Sequence, residues 1–399
     1  MNDRRITTTE IENALVNLKQ LTFEVTDACN LQCKYCGYGD LYYGYDKRET
    51  KYMTFRQGKL LVDYLADLWR QRRTRSSRQK TYISFYGGEP LLNMDFIRQM
   101  VNYIESLDVP RSFIFSMTTN AMLLDRYMDY FAARKFRLLI SLDGDEEGQS
   151  YRIRKKGDNS FYKVFSNVKA LQQKYPDYFA EYVNFNSVLH NRNSVEKTHD
   201  FIKRAFGKQP KISELNDSGI REDKKDEFDR TYRNKIESLT TSENYERLSS
   251  EMFMSEPRTN DLSLYLYQYS GNVFKDYNSL YIDEDKQSYT PTGTCSPFGK
   301  KMFVTVNGKI LQCECIDHKF TLGQIGETHV FLDIKAIAER FNGYLDKLQN
   351  SVTAHKFNQI AKRRSKYNII FLRYGMQIGE RQLRNNCRKV KVAGTDFTN

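Results

Sequence analysis

What this chain lacks narrows it before any motif is read. No apolar run approaches the ~20 residues that span a bilayer, and the opening Met-Asn-Asp-Arg-Arg leads into polar residues rather than the apolar stretch of a signal peptide. A cytoplasmic protein without a membrane partner is expected. Cysteine is scarce: there are seven, an odd number, with six of them in two knots at 29, 33, 36 and at 295, 313, 315, and Cys387 apart. In a reducing compartment such knots point to metal ligation before disulfides. Acidic residues are almost missing from the end of the chain, where residues 351–399 carry eleven Lys or Arg against Glu380 and Asp396. The net charge of +12 is therefore +9 in this tail and only +3 in the other 350 residues. A nearly balanced body with no nucleic-acid-binding motif argues against a nucleic-acid partner.

What is present is an α/β rhythm. Leu21-Thr-Phe-Glu-Val-Thr26 alternates like a strand, and Cys29 follows it directly. A helix is predicted over 54–71 from Leu60, Leu61, Tyr64, Leu65 and Leu68. Strands at 82–86, 113–117, 137–141, 182–189 and 211–215 alternate with helices near 94–106, 122–133, 162–174 and 194–206. Polar or glycine-containing segments end the strands: Gly87-Gly88-Glu89-Pro90, Thr118-Thr-Asn120, Ser141-Leu-Asp143-Gly144 and His190-Asn-Arg-Asn193. Repeated strand–helix units imply a parallel sheet, and six of them predict an α/β fold, a partial (β/α)6 TIM-like barrel with its site at the C-terminal ends of the strands. A charged, helical stretch follows from 217. Lys301–Val306, the Asn307-Gly308 turn and Lys309–Cys313 then read as a β-hairpin, and a helix follows near 333–349. The expected divisions are an N-terminal extension (1–20), the barrel (21–216), a helical linker or insertion (217–290), a small cysteine-containing hairpin and helix appendage (291–349) and a basic divergent tail (350–399).

Cys29, Cys33 and Cys36 place three thiols on one tight loop with no fourth cysteine and no histidine close in sequence. Three thiolates can reach three corners of a [4Fe-4S] cube and leave one iron for a ligand that is not protein. The competing assignment is a zinc knuckle completed from elsewhere. The spacing C-x3-C-x2-C with Tyr35 just before Cys36 resembles the signature of the radical S-adenosylmethionine (radical SAM) superfamily. Gly87-Gly88-Glu89 at the second strand end resembles that family's GGE motif, which implies contact with the cofactor's amino group; two glycines expose backbone and a carboxylate can accept from an ammonium. Ser141-Leu-Asp143-Gly144 resembles the family's SLDG segment. By the same resemblance Asn120, Ser141 and Asp143 are expected cofactor contacts, and Arg154 or Arg152 the partner of the cofactor carboxylate. The bland alternatives are loop caps, a turn before a helix-initiating proline and solvated arginines. The resemblance implies a [4Fe-4S] cluster, S-adenosylmethionine, its reductive cleavage to a 5′-deoxyadenosyl radical, and a flavodoxin- or ferredoxin-type electron donor.

Cys295 and then Gly308-x4-Cys313 resemble the opening of the SPASM domain of radical SAM enzymes that modify peptides, and Leu322-Gly-Gln-Ile325 fits as well. The resemblance covers residues 20–349 and departs after Asn350, where relatives continue with a dense cysteine run and this chain offers only Cys387. One auxiliary cluster on Cys295, Cys313, Cys315 and Cys387 balances arithmetically; a metal-free hairpin carries equal weight. The appendage is thus expected to be a truncated SPASM or twitch-like element. The abrupt change in the tail fits a frame change or recent divergence, which reading the other frames of the coding DNA would test; a genuine tail would bind acidic partners electrostatically. The expected function is radical modification of a ribosomally made precursor peptide, by a thioether or carbon–carbon link. With only about 20 residues before the first strand, leader recognition is expected from the barrel mouth, from 217–290 or from a separate partner. The rivals are an anaerobic sulfatase maturase that makes formylglycine and a peptide-binding protein that has lost turnover.

Overall fold

Strand β1 (Gln20–Thr26) lies inside the sheet, with Leu21, Phe23, Val25 and also Thr22, Glu24 and Thr26 buried. Its apolar–polar alternation would suit a strand with one wet face; burial on both sides is what a central strand of a covered parallel sheet requires. The computed structural model describes residues 5–71, 80–252 and 297–350. Cys295, Cys387, the part of the 217–290 segment beyond 252 and the whole basic tail lie outside the described residues.

β1, β3 (Lys80–Gly87), β4 (Ser112–Thr119), β5 (Arg137–Ser141), β7 (Val183–Leu189) and β8 (Lys211–Glu214) pair in that order, every contact parallel. They are the six strands expected of the partial barrel, and all their C-terminal ends lie on one face. Helices Phe55–Gln71, Met94–Glu105, Met128–Ala133, Phe161–Lys174 and Val195–Phe206 make the crossovers. The last shows the local logic: Ser194 caps its first turn, Gly207 at φ +68° ends it, and Val195, Thr198, His199, Ile202 and Phe206 face inward. Between the layers, Phe23, Phe85, Phe136 and Phe115 stack in series at centroid distances of 6.4, 6.0 and 5.6 Å.

Several elements differ from the sequence-based expectation. In helix Phe55–Gln71 the buried seam is Gly58, Leu61, Val62, Leu65, Ala66 and Trp69, rotated from the leucine-rich face. Gly58 is the reason: a Cβ there would stand 2.7 Å from the Met100 sulfur and 2.9 Å from Phe96, so its bare backbone marks the closest packing. The helix expected over 122–133 splits into a 3-10 turn (Leu124–Arg126) and a short helix (Met128–Ala133). The N-terminal extension holds an unforeseen helix, Thr8–Val16, opened by a capping box between Thr7 and Glu10. The segment after β8 is helical where described, at Lys225–Thr231, Lys235–Thr240 and Tyr245–Glu251.

The hairpin does not stand apart from the sheet. β9 (Met302–Val304) lies parallel beside β1, and β10 (Lys309–Leu311), β11 (Gly323–Ile325) and β12 (Val330–Phe331) extend the sheet antiparallel to one another. Gly308 turns at φ +79°, and the Val306 N–H donates to buried Glu24 at 3.0 Å. A separate small sheet pairs β2 (Leu31–Cys33) antiparallel with β6 (Arg152–Arg154). These strands belong to one compact unit, Thr7–Tyr245 with Cys295–Ala338. In the other unit, Ile6 and Asn342 exchange two hydrogen bonds, at 2.8 and 3.0 Å. No helix among the described residues is long and apolar enough to cross a membrane.

Candidate functional site

The loop that follows β1 carries the three thiols, and β1's end is fixed from two directions. Asp27 accepts the N–H groups of Glu49 and Lys51 at 2.8 and 2.6 Å, and the Thr26 hydroxyl donates to the Lys51 carbonyl at 2.6 Å. On the other side, Gly88 N–H donates to Thr26 O and Glu89 N–H to Ala28 O, both at 2.9 Å. The two glycines are required by this approach: a Cβ on Gly87, which sits at φ +127°, would fall 2.3 Å from the Thr26 carbonyl oxygen, and one on Gly88 2.0 Å from that of Ala28. The second strand's end is therefore clamped against the residue that precedes Cys29.

Within the loop, Cys36 N–H donates to Cys33 O at 3.1 Å and Gly39 N–H to Cys36 O at 2.8 Å, a turn that holds Cys33 and Cys36 on one side. All three cysteines are half-buried. Cys29 Sγ accepts from Leu31 N–H at 3.4 Å and faces Asn120 Nδ2 at 3.8 Å, and Asn120 in turn donates to Asn30 Oδ1 at 2.7 Å. Burial, reinforced by Glu89, pushes the Cys29 thiol up to about 11. Burial does the same to Cys33, to about 12, against the lowering influence of Arg152. Without a cation these thiols stay protonated, so binding a metal centre there releases protons. Among the described residues no three His, Cys, Asp or Glu converge on one point as the ligands of a single ion would. A cluster takes each thiolate on its own iron, and N–H groups aimed at sulfur suit its charge, so the residues present fit a cubane.

Glu89 is fully buried. Thr119 Oγ1 at 2.7 Å and Leu91 N–H at 3.1 Å donate to Oε1, and Asn120 N–H donates to Oε2 at 2.8 Å. Burial outweighs these donors and raises its carboxyl to about 7. Glu89 thus joins the ends of β3 and β4. Ser141, at the end of β5, is mostly buried, and its hydroxyl has no partner among the described residues.

Asp143 is also fully buried, and its carboxylate takes Arg152 Nε at 2.9 Å, Arg152 Nη2 at 3.1 Å, Val188 N–H at 2.8 Å and the Tyr35 hydroxyl. All these donors belong to the protein. Burial alone would lower the Arg152 pKa; Asp143 and Tyr35 more than offset it, so the guanidinium is held charged. Burial raises the Tyr35 hydroxyl well above its ordinary value, with Asp143 adding to it. His190 stacks on Tyr35 at 5.5 Å and packs at a tilt against Tyr151 at 4.8 Å. Its Nδ1 accepts from Arg192 N–H at 3.2 Å, so Nε2 carries the proton and donates to Gly148 O at 3.0 Å; burial lowers its pKa and keeps it neutral. Arg154 is half-exposed and paired with Asp158. Spacing singled out neither His190 nor the tie between Tyr35 and Asp143. The polar tip His190–Asn193 after a strand was the one available signal.

In the second knot, Cys313 is half-buried and Cys315 exposed, just beyond β10. Glu314 between them is paired with Lys301 at 2.9 Å. Nothing described brings a third cysteine to them.

Residues 23–205 match the radical SAM superfamily. The chain is 28% identical over 193 residues to a cysteine-type anaerobic sulfatase-maturating enzyme of Clostridium novyi (strain NT), across 47% of this chain and 48% of that one. It is 21% identical over 203 residues to the radical SAM cyclopropyl synthase TigE of Paramaledivibacter caminithermalis, across 50% and 40%. The chain spans about half the length of these curated relatives. Its fold is similar to that of anSMEcpe with bound AdoMet and the Kp18Cys peptide, with a TM-score of 0.55 and 18% identity over 86% of this chain and 83% of that one.

Proposed function

We propose that this chain, which carries a radical SAM domain over residues 23–205, holds a [4Fe-4S] cluster on Cys29, Cys33 and Cys36 and uses S-adenosylmethionine to modify a peptide. The observation that carries the reading is the three-thiol turn clamped by Gly87 and Gly88 at the C-terminal face of the parallel sheet. When bound, the cluster and S-adenosylmethionine supply hydrogen-atom abstraction from a substrate; the family uses both. The chain's own residues bind, orient and exclude water. Backbone at Gly87 and Gly88, the Asn120 amide and the unpartnered Ser141 hydroxyl are the groups assigned to the cofactor. Glu89 and Asp143, filled by protein donors, hold the strand ends. The half-exposed Arg154 can leave Asp158 for a carboxylate, whereas Arg152 is committed to Asp143.

A peptide substrate is supported by the likeness to the sulfatase-maturating enzyme and to TigE, and by a similar fold that is seen with a bound peptide. The truncated, SPASM-like reading of the hairpin rests on Cys313 and on Cys295, which lies outside the described residues. An auxiliary cluster would need Cys295 and Cys387 to join Cys313 and Cys315. A low-potential flavodoxin or ferredoxin is the class of electron donor implied. The second reading is formylglycine formation, favoured by the sulfatase-maturating relative. Incubation with candidate peptides and mass spectrometry separates the two: loss of two hydrogens with an internal link supports crosslinking, and an aldehyde at Cys or Ser supports the other. Bound cofactor without turnover on either peptide class would favour a binding protein.

A further inference from the structure

We propose that Tyr35, Asp143 and Arg152 form a positioning lock that sets the geometry of the cysteine loop. This deepens the cluster-binding reading above and rests on it. Three observations converge. First, β2 ends at Cys33, which lies directly opposite Arg152 in the antiparallel register, and the next pair along is tied by Lys34 N–H donating to Tyr151 O. Second, the side chain of that arginine turns back to grip Asp143 through two nitrogens, at 2.9 and 3.1 Å, while its guanidinium lies 5.4 Å from the centre of the Tyr35 ring. Third, the hydroxyl of Tyr35, the residue just before Cys36, donates to the same carboxylate.

The lock closes a ring: the cysteine turn, the β2–β6 strand pairing, Arg152, Asp143, Tyr35 and back to the turn. Its far side is rigid. Val188 N–H at 2.8 Å fixes Asp143 from β7, and Asn193 Nδ2 and Thr198 Oγ1 hold the Asp143 carbonyl at 3.0 and 3.2 Å. The His190 ring packs on Tyr35 at 5.5 Å and leaves the tyrosine no route outward on that side. Lys34 N–H donates to Tyr151 O at 3.1 Å and adds a second strut next to the tyrosine. The ring carries one buried cation and one buried anion with bidentate geometry, which specifies direction as well as distance. A loop of a few residues bearing three ligands has little stiffness of its own; held at both its strand and its aromatic residue, it presents Cys33 and Cys36 in one arrangement. A metal ligand oriented by what lies behind it is a common way for proteins to tune a centre.

The test uses the full chain in the apo and reconstituted states. Tyr35→Phe removes one hydroxyl and keeps the ring, so folding is preserved, and Arg152→Lys keeps the charge but not the bidentate grip. In apo protein, residue-resolved alkylation with iodoacetamide is expected to label Cys33 and Cys36 about tenfold faster in both variants, as loss of a hydrogen bond to a charged group allows local opening. Cys313 and Cys315 serve as internal references and keep their rates. Tyr162→Phe, which removes an exposed hydroxyl bonded to Glu146, leaves all rates unchanged. After anaerobic reconstitution, Tyr35→Phe is expected to alter the electron paramagnetic resonance spectrum of the reduced cluster and weaken its response to S-adenosylmethionine. Alkylation of Cys33 and Cys36 within twofold of wild type in Tyr35→Phe overturns the lock. If wild type takes up no cluster, the cluster-binding reading fails while the alkylation result still decides this one.

Discussion

Replacing Asp143 by Asn tests how much of the fold depends on one buried charge pair. The carboxylate has no exposed surface and receives Arg152 twice, Val188 N–H and the Tyr35 hydroxyl. An amide cannot serve all of these: whichever way it turns, its NH2 faces a donor, and the Arg152 guanidinium is left buried without a counter-charge. Removing one partner of a buried pair costs about 3–5 kcal/mol. At about 2–4 °C per kcal/mol for a unit of this size, the apo protein should melt roughly 6–20 °C lower. Thermal unfolding followed by circular dichroism, with urea titration as a second route to the free energy, reads this directly. The double variant Asp143→Leu with Arg152→Met removes both charges and should recover much of the loss. A single variant melting within about 2 °C of wild type, or a double variant no better than the single, refutes the reasoning.

Gly88→Ala forces a methyl to within 2.0 Å of the Ala28 carbonyl oxygen. It should destabilise by about 1–3 kcal/mol and reduce iron uptake after reconstitution, measured as iron per chain; normal uptake would mean the clamp does not set the cysteine loop. Glu89 provides a pH signature. Its folded pKa of about 7 lies above its ordinary 4.5, so it contributes stability below pH 4.5 that is lost as the pH rises through about 7. Relative to Glu89→Gln, wild-type stability should fall by about 3 kcal/mol across that window, and a flat difference between the two proteins contradicts it. Asn120→Ala removes the amide facing Cys29 at 3.8 Å and should shift the midpoint potential of the reconstituted cluster, since donors near sulfur set it. An unchanged potential in spectroelectrochemical titration would assign Asn120 to the Asn30 contact alone.

Much of this arrangement was legible in the residues. The alternation of strand and helix located the six strands of the β/α series, and the cysteine spacing located the loop, because both are local signals. Contacts that join distant segments were not. Tyr35 and Asp143 are 108 residues apart, and nothing in either neighbourhood names the other. Arg152 and Arg154 sit two apart on one short strand, so periodicity puts them on the same face. Only the partner decides between them: Asp143 buries the first, while Asp158 pairs with the second near the surface. Gly58 reads as a weak point in a helix until Phe96 and Met100 are seen against it. The hairpin was recognised from Asn307-Gly308, yet its place beside β1 needed the Leu21–Met302 register.

The most direct test of the central claim is anaerobic reconstitution of the full chain with iron and sulfide, followed by counting iron and assaying 5′-deoxyadenosine after reduction with S-adenosylmethionine present. Wild type should hold about four irons per chain, or more if a second centre forms, and release 5′-deoxyadenosine. The Cys29→Ala, Cys33→Ala, Cys36→Ala triple variant should lose those irons and all cleavage. Zinc in place of iron in wild type, or cleavage that survives the triple variant, would contradict the account.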